Sequence, residues 1–232
     1  MDEPFDRFGP SCVRIKILIV SFDFEIQRRE IPAFRAAVAE KVGRENVLFH
    51  NHEDGKFRYG YPLIQYKVFR RHPTILCIDR GSEEILKLFR QADWNIVLHG
   101  RTVDARIKYL HHDYFHCEFL ENPLEYRIRN WFALNEENFE KYINLGDEGE
   151  KNEVLRRILT GNIISFAKGI RWNLDQQLGV TIPRLHVKRL FNFKDHQMVG
   201  FDLDFTANVV LPDGIGLGKS VSRGFGVIGK VG

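Results

Sequence analysis

From Val199 to Leu211 every odd position is apolar: Val199, Phe201, Leu203, Phe205, Ala207, Val209 and Leu211. A repeat of two turns one edge of an extended chain toward a core and leaves the other wet, which a helix cannot do. The chain must therefore contain a long strand that is one-sided, and so a sheet with something packed on one face. The opposite end of the sequence says the same. In "CVRIKILIVSF", Val13, Ile15, Ile17 and Ile19 alternate with Arg14, Lys16 and Leu18, predicting a first strand with its odd positions inward.

Between these strands the punctuation is regular. "EIPAFRAAVAEKVG" predicts a helix, with Pro32 in its first turn and Gly43 at its end. "PLIQYKVF" and "TILCI" predict strands, "SEEILKLFRQA" a helix capped by Ser82, and "WNIVLH" a strand. Strand, helix, strand, strand, helix, strand is the ferredoxin-like order. The second half follows the theme less cleanly. "YRIRNWFAL" predicts a strand, "NEENFEKYINL" a helix from Asn135, "GDEGEKN" a turn, and 151–172 a long helix. "RLHVKRLFNF" predicts another strand, and "PDG" at 212–214 a turn. The patterns lapse near 101–118. With 232 residues and 44% hydrophobic content, the chain suits one large domain or two small ones. The expected fold class is α+β, two tandem ferredoxin-like (RAMP/RRM-like) domains with antiparallel sheets, 1–115 and 116–232.

Charge excludes little. There are 34 basic and 31 acidic residues, a net charge of +3, so any affinity for nucleic acid must come from local clustering. Cys12, Cys77 and Cys117 stand far apart and odd in number, as reduced thiols of a cytoplasmic protein do. The start "MDEPFDRFGP" lacks the apolar core of a signal peptide, and no apolar run approaches the length that spans a bilayer. The expectation is a cytoplasmic protein with no membrane partner and no cofactor, as a monomer or homodimer.

Two stretches carry chemistry. The first is "GIGLGKSVSRGFGVI", which contains Gly218-Lys219-Ser220. A nucleotide-binding P-loop needs a glycine five positions before Gly218, where Asp213 stands, and a helix afterwards, where Gly224, Gly226 and Gly229 stand. The P-loop reading fails. A glycine-rich run still lets backbone N–H groups approach phosphate oxygens. Gly214, Gly216, Gly218, Gly224 and Gly226 supply that freedom, Lys219 and Arg223 supply charge, Ser220 supplies a neutral donor, and Phe225 an aromatic face. A plain turn between edge strands is the other reading of the same residues.

The second stretch runs from His50 to Arg71. Lys56, Arg58, Lys67, Arg70 and Arg71 occur there with no acidic residue after Lys56, interleaved with Phe57, Tyr59, Tyr61, Tyr66 and Phe69. Basic groups neutralise phosphates and aromatic faces stack bases, which suits RNA; a strand with a solvated basic face gives part of the same pattern. His50 and His52 stand just before it. RNA is cut without a metal when a base takes the 2′-OH proton, an acid protonates the departing 5′-oxygen, and a cation steadies the phosphate. Imidazoles serve either proton role near neutral pH, and Lys56 can supply the cation. The "HNH" at 50–52 is not the metal nuclease motif of that name, whose residues are dispersed. His112 and His116 have zinc-like spacing only if helical, with no second pair of ligands, so no metal site is expected.

The glycine loop with its Gly-Phe-Gly ending, placed after a long strand near the C-terminus, resembles the signature loop of the CRISPR-associated repeat-processing endoribonucleases of the RAMP superfamily. The resemblance implies tandem ferredoxin-like domains and a loop that contacts RNA. It also implies a catalytic histidine after the first helix, often with a lysine or tyrosine nearby. Here those positions hold His52 as the principal histidine, with His50 assisting and Lys56 and Tyr61 beside them. The implied partners are CRISPR repeat RNA and an interference complex. Two other readings stay open: a non-catalytic RNA-binding subunit of the same superfamily, and a ferredoxin-like ligand-sensing or scaffold protein.

Overall fold

β1 (Cys12–Phe22) is followed by α1 (Ile31–Val42), whose buried stripe is Ile31, Phe34, Val38, Ala39 and Val42. The computed structural model describes residues 12–50, 52–53, 56–57, 60–193 and 196–231. Pro32 occupies the first turn of α1, and Gly43 ends it at φ 93°, as the sequence predicts. A short hairpin, β2 (His52–Glu53) and β3 (Lys56–Phe57), precedes β4 (Ile64–Phe69) and β5 (His72–Ile78). Then come α2 (Gly81–Glu84), α3 (Leu86–Phe89), β6 (Asn95–Leu98), β7 (Arg101–Asp104) and the 25-residue β8 (Ile107–Trp131). The C-terminal half adds α4 (Glu136–Asn144), α5 (Glu148–Gly169), β9 (Val180–Phe193), β10 (His196–Val209) and β11 (Val227–Lys230).

The chain forms two compact units. The N-terminal unit is Ile15–Phe115 together with Ser220–Gly224; the C-terminal unit is Met1–Arg14, His116–Lys219 and Phe225–Gly232. In the N-terminal unit the strand order is β4-β5-β1 with β8 next to β1, and β5 runs antiparallel to both its neighbours. Leu18, Val20 and Phe22 of β1 join α1 in the core. Phe34 sets its ring edge-on to Phe22 at 5.6 Å and to Tyr66 at 5.7 Å, the arrangement that aromatic quadrupoles favour. The helical layer thus covers the even positions of β1, not the odd ones. Ile15 and Ile17 are buried as well, so the strand is apolar on both faces along much of its length.

Four more expectations need correction. The helix expected over "SEEILKLFRQA" is two four-residue turns joined at Ile85, and Ser82 is inside the first, its hydroxyl reaching the Cys77 carbonyl at 3.5 Å. The strand at "WNIVLH" pairs with β7 as a separate hairpin, leaving the fourth place in the ferredoxin-like sheet to β8. Residues 101–118, patternless in sequence, hold β7 and the first part of β8. Residues 108–114 are exposed on both faces, so no apolar repeat marks them. "GDEGEKN" is a helix start, in which the Asp147 side chain accepts from the Glu150 amide at 2.8 Å.

In the C-terminal unit β10 lies between β8 and β9, antiparallel to both, and β11 pairs with β8. All the odd apolar positions from Val199 to Leu211 are buried. Leu155, Leu159, Ile163 and Phe166 of α5 are buried too. Asn135 caps α4, its side chain accepting from the Asn138 amide at 2.8 Å. Both halves of the molecule are ferredoxin-like, arranged in tandem along the chain. Among the described residues no helix is long and apolar enough to cross a membrane.

Candidate nucleic-acid interface

His50 follows a 3-10 turn, Val47–Phe49, at the end of α1's descending chain. Its Nε2 lies 2.5 Å from the Arg44 carbonyl, which can only accept, so this contact places a proton on Nε2. The His50 carbonyl accepts from Arg35 Nη2 of α1. Tyr66 closes the floor below, donating its hydroxyl to the Phe49 carbonyl at 3.2 Å. Burial pushes the Tyr66 hydroxyl far above its ordinary pKa, so it stays protonated and serves as a fixed strut.

His52 and Lys56 stand on the β2–β3 hairpin, where His52 faces Phe57 and Glu53 faces Lys56 across the ladder. Arg58 and Tyr59 lie outside the described residues. Tyr61 is half-buried, its hydroxyl accepting from Gln65 Nε2 at 2.9 Å. Arg70 sits with Arg71 in the two-residue turn between β4 and β5, both at positive φ, 47° and 70°. The Arg70 guanidinium covers the Phe69 ring at 5.3 Å. His112 and His116 are on β8, so their spacing is that of a strand and not of a helical ligand pair.

The glycine loop is a packed element. After Gly218-Lys219-Ser220 comes only a single 3-10 turn, Val221–Arg223, which confirms that this is no P-loop. Gly214 donates its amide to Ile228, Leu217 to Gly226, Gly224 to Val221 and Gly226 to Asn130. These amides are committed inside the protein and do not form the phosphate cradle that the composition suggests. The glycines answer to close approach. A Cβ on Gly226, at φ 64°, would fall 1.9 Å from the Leu217 carbonyl oxygen; one on Gly218 would meet Trp131 Nε1 at 2.6 Å. Gly216 bridges to Val227, Lys219 donates its amide to Phe132, and Phe225 stacks on Phe132 with centroids 4.4 Å apart.

Ser220–Gly224 belongs to the same compact unit as His50. Arg28 Nη2 donates to the Gly224 carbonyl at 2.6 Å, and Arg223 Nη2 to Ser220 Oγ at 2.8 Å. Burial, and then the neighbouring Arg35 charge, pull the Arg223 pKa down; burial does the same to Arg35. Lys67, on β4 beside this segment, has a buried ammonium that burial and then the Arg28 charge push down to about 7. Sequence reasoning named Lys67, Ser220, Arg223 and Gly224 but missed Arg28 and Arg35. Those two look like ordinary solvated residues around an amphipathic helix.

Two family models match, the Cas6b N-terminal domain over residues 13–116 and the Cas6b C-terminal domain over 118–231. A solved structure described as "Crystal structure of Cas6b" superposes with a TM-score of 0.84 at 32% identity, covering 94% of this chain and 100% of that one. The chain belongs to the Cas6b family. A second solved structure, "Crystal structure of CRISPR RNA processing endoribonuclease Cas6b", gives a TM-score of 0.70 at 28% identity, again over 94% of this chain and 100% of that one. A protein of Methanocaldococcus jannaschii, described as "Uncharacterized protein MJ0978", is 34% identical over 112 residues, 48% of this chain and 75% of that one. The two Cas6b models meet between 116 and 118, partway along β8.

Proposed function

We propose that this chain is a metal-independent endoribonuclease that binds CRISPR repeat RNA and cuts it to make guide RNAs. One observation carries the reading. Ser220–Gly224 of the glycine loop is folded into the unit that holds the histidine segment, tied there by Arg28 at Gly224 while Arg35 holds the His50 carbonyl. The family, one solved member of which is described as a CRISPR RNA processing endoribonuclease, supports the substrate class.

The chemistry follows from the residue types. His52 or His50 takes the proton from a ribose 2′-OH, and the freed oxygen attacks the adjacent phosphorus. The 5′-oxygen leaves with a proton returned by an acid, the second histidine being suited to that role. Lys56 stabilises the charge on the phosphate, with Tyr61 as a further hydroxyl. The upstream product ends in a 2′,3′-cyclic phosphate and the downstream product begins with a 5′-hydroxyl. Because the loop amides are committed internally, phosphate binding falls to the side chains of Lys67, Arg70, Lys219 and Arg223, with Arg58 in the same role. The products are passed to, or kept by, an interference complex.

The test is to incubate the chain with repeat RNA in EDTA and to analyse the product ends. Cyclic phosphate and 5′-hydroxyl ends are expected, with cutting abolished by a single 2′-deoxy substitution at the cleavage position. Tight binding without cutting would select the non-catalytic subunit instead.

A further inference from the structure

The N-terminal unit gathers four cations that neither loop motif explains. Lys67 Nζ and Arg35 Nε are buried and have no hydrogen-bond partner. The charges acting on them and on their neighbours are other cations, Arg28 on Lys67 and Arg35 on Arg223. Packing draws them to one place. The Val221–Arg223 turn rests on β4 and on α1. Arg28 holds the Gly224 carbonyl at 2.6 Å, and a Cβ on Gly224 would stand 3.0 Å from the Tyr66 carbonyl oxygen and 3.7 Å from Lys67 Cα. Arg28 is exposed while the Lys67 ammonium is buried, so the group runs from the surface inward.

Desolvated like charges repel and leave their N–H donors unmet, a cost that a bound anion removes. Three guanidinium groups and an ammonium exceed what one carboxylate neutralises. A phosphate offers several acceptor oxygens, matched to guanidinium forks and to a point-charge ammonium. We infer that Arg28, Arg35, Lys67 and Arg223 form a seat for one phosphate group, with Lys67 as its deepest donor. The phosphate comes either from a phosphodiester of the bound RNA or from free inorganic phosphate. Only the first source rests on the ribonuclease reading.

The experiment follows thermal unfolding of the full chain while inorganic phosphate replaces chloride at constant ionic strength. A saturable rise in Tm is expected. Lys67→Met keeps the length of the side chain without its charge. It should raise Tm in the absence of phosphate and cancel the phosphate-dependent rise; Arg28→Gln should shrink that rise. A second arm measures binding of a repeat RNA carrying a 2′-deoxy block as salt is varied. If an RNA phosphate occupies the seat, Lys67→Met lowers the slope of log K against log salt by about one and inorganic phosphate competes. If free phosphate is the occupant, the slope stays and the Tm response remains. An unmoved Tm with an unaltered slope, or an equal rise in Lys67→Met and the parent, overturns the seat. The His50→Ala/His52→Ala protein should keep the phosphate response, so loss of cutting with that response intact counts against catalysis and not against the seat.

Discussion

Lys67 makes the fold sensitive to pH in an unusual direction. Its ammonium is pushed down to about 7 in the folded chain, from an ordinary 10.5. Between those two values the unfolded chain binds more protons than the folded one, so stability rises with pH across that window. The penalty is fully present below about 7 and gone above the ordinary lysine range. Urea denaturation from pH 7 to pH 9.5 should therefore show an increase in unfolding free energy that Lys67→Met removes. Gly226 makes a steric claim at the same scale. Its φ of 64° and the 1.9 Å approach to Leu217 exclude any side chain. Gly226→Ala should cost about 2 kcal/mol or more in chemical denaturation, well above an ordinary glycine substitution.

Among the elements, the β4–β5 hairpin holds local strain. Arg70 and Arg71 both sit at positive φ in a turn whose favoured residues are Asn-Gly. Replacing them with Asn and Gly should stabilise the fold by about 1 kcal/mol, because the exposed Arg71–Glu25 pair, at 2.8 Å, contributes little. The same double change should weaken RNA binding if Arg70 contacts the strand, a trade visible by measuring Tm and affinity on one preparation. The helix caps follow the ordinary rule: Asn135→Ala removes the acceptor for the Asn138 amide and should cost about 1 kcal/mol in chemical denaturation.

For the whole molecule, legibility in sequence followed burial asymmetry. β10 was readable because its odd positions are buried while its intervening residues are polar, and α1 because Pro32 and Gly43 mark its ends. The stretch 108–114 of β8 was not, since a strand wet on both faces writes no apolar repeat. The glycine loop was readable as chemically special, but its dependence on Arg28 was not, because the two residues that meet are 196 positions apart. The central claim is that the histidines cut the strand that this molecule binds. Single-turnover cleavage of repeat RNA in EDTA by the parent chain and by His50→Ala/His52→Ala tests it. The parent should cut, and the double variant should be slower by about 100-fold or more with RNA affinity unchanged; undiminished cutting by the double variant would contradict the account.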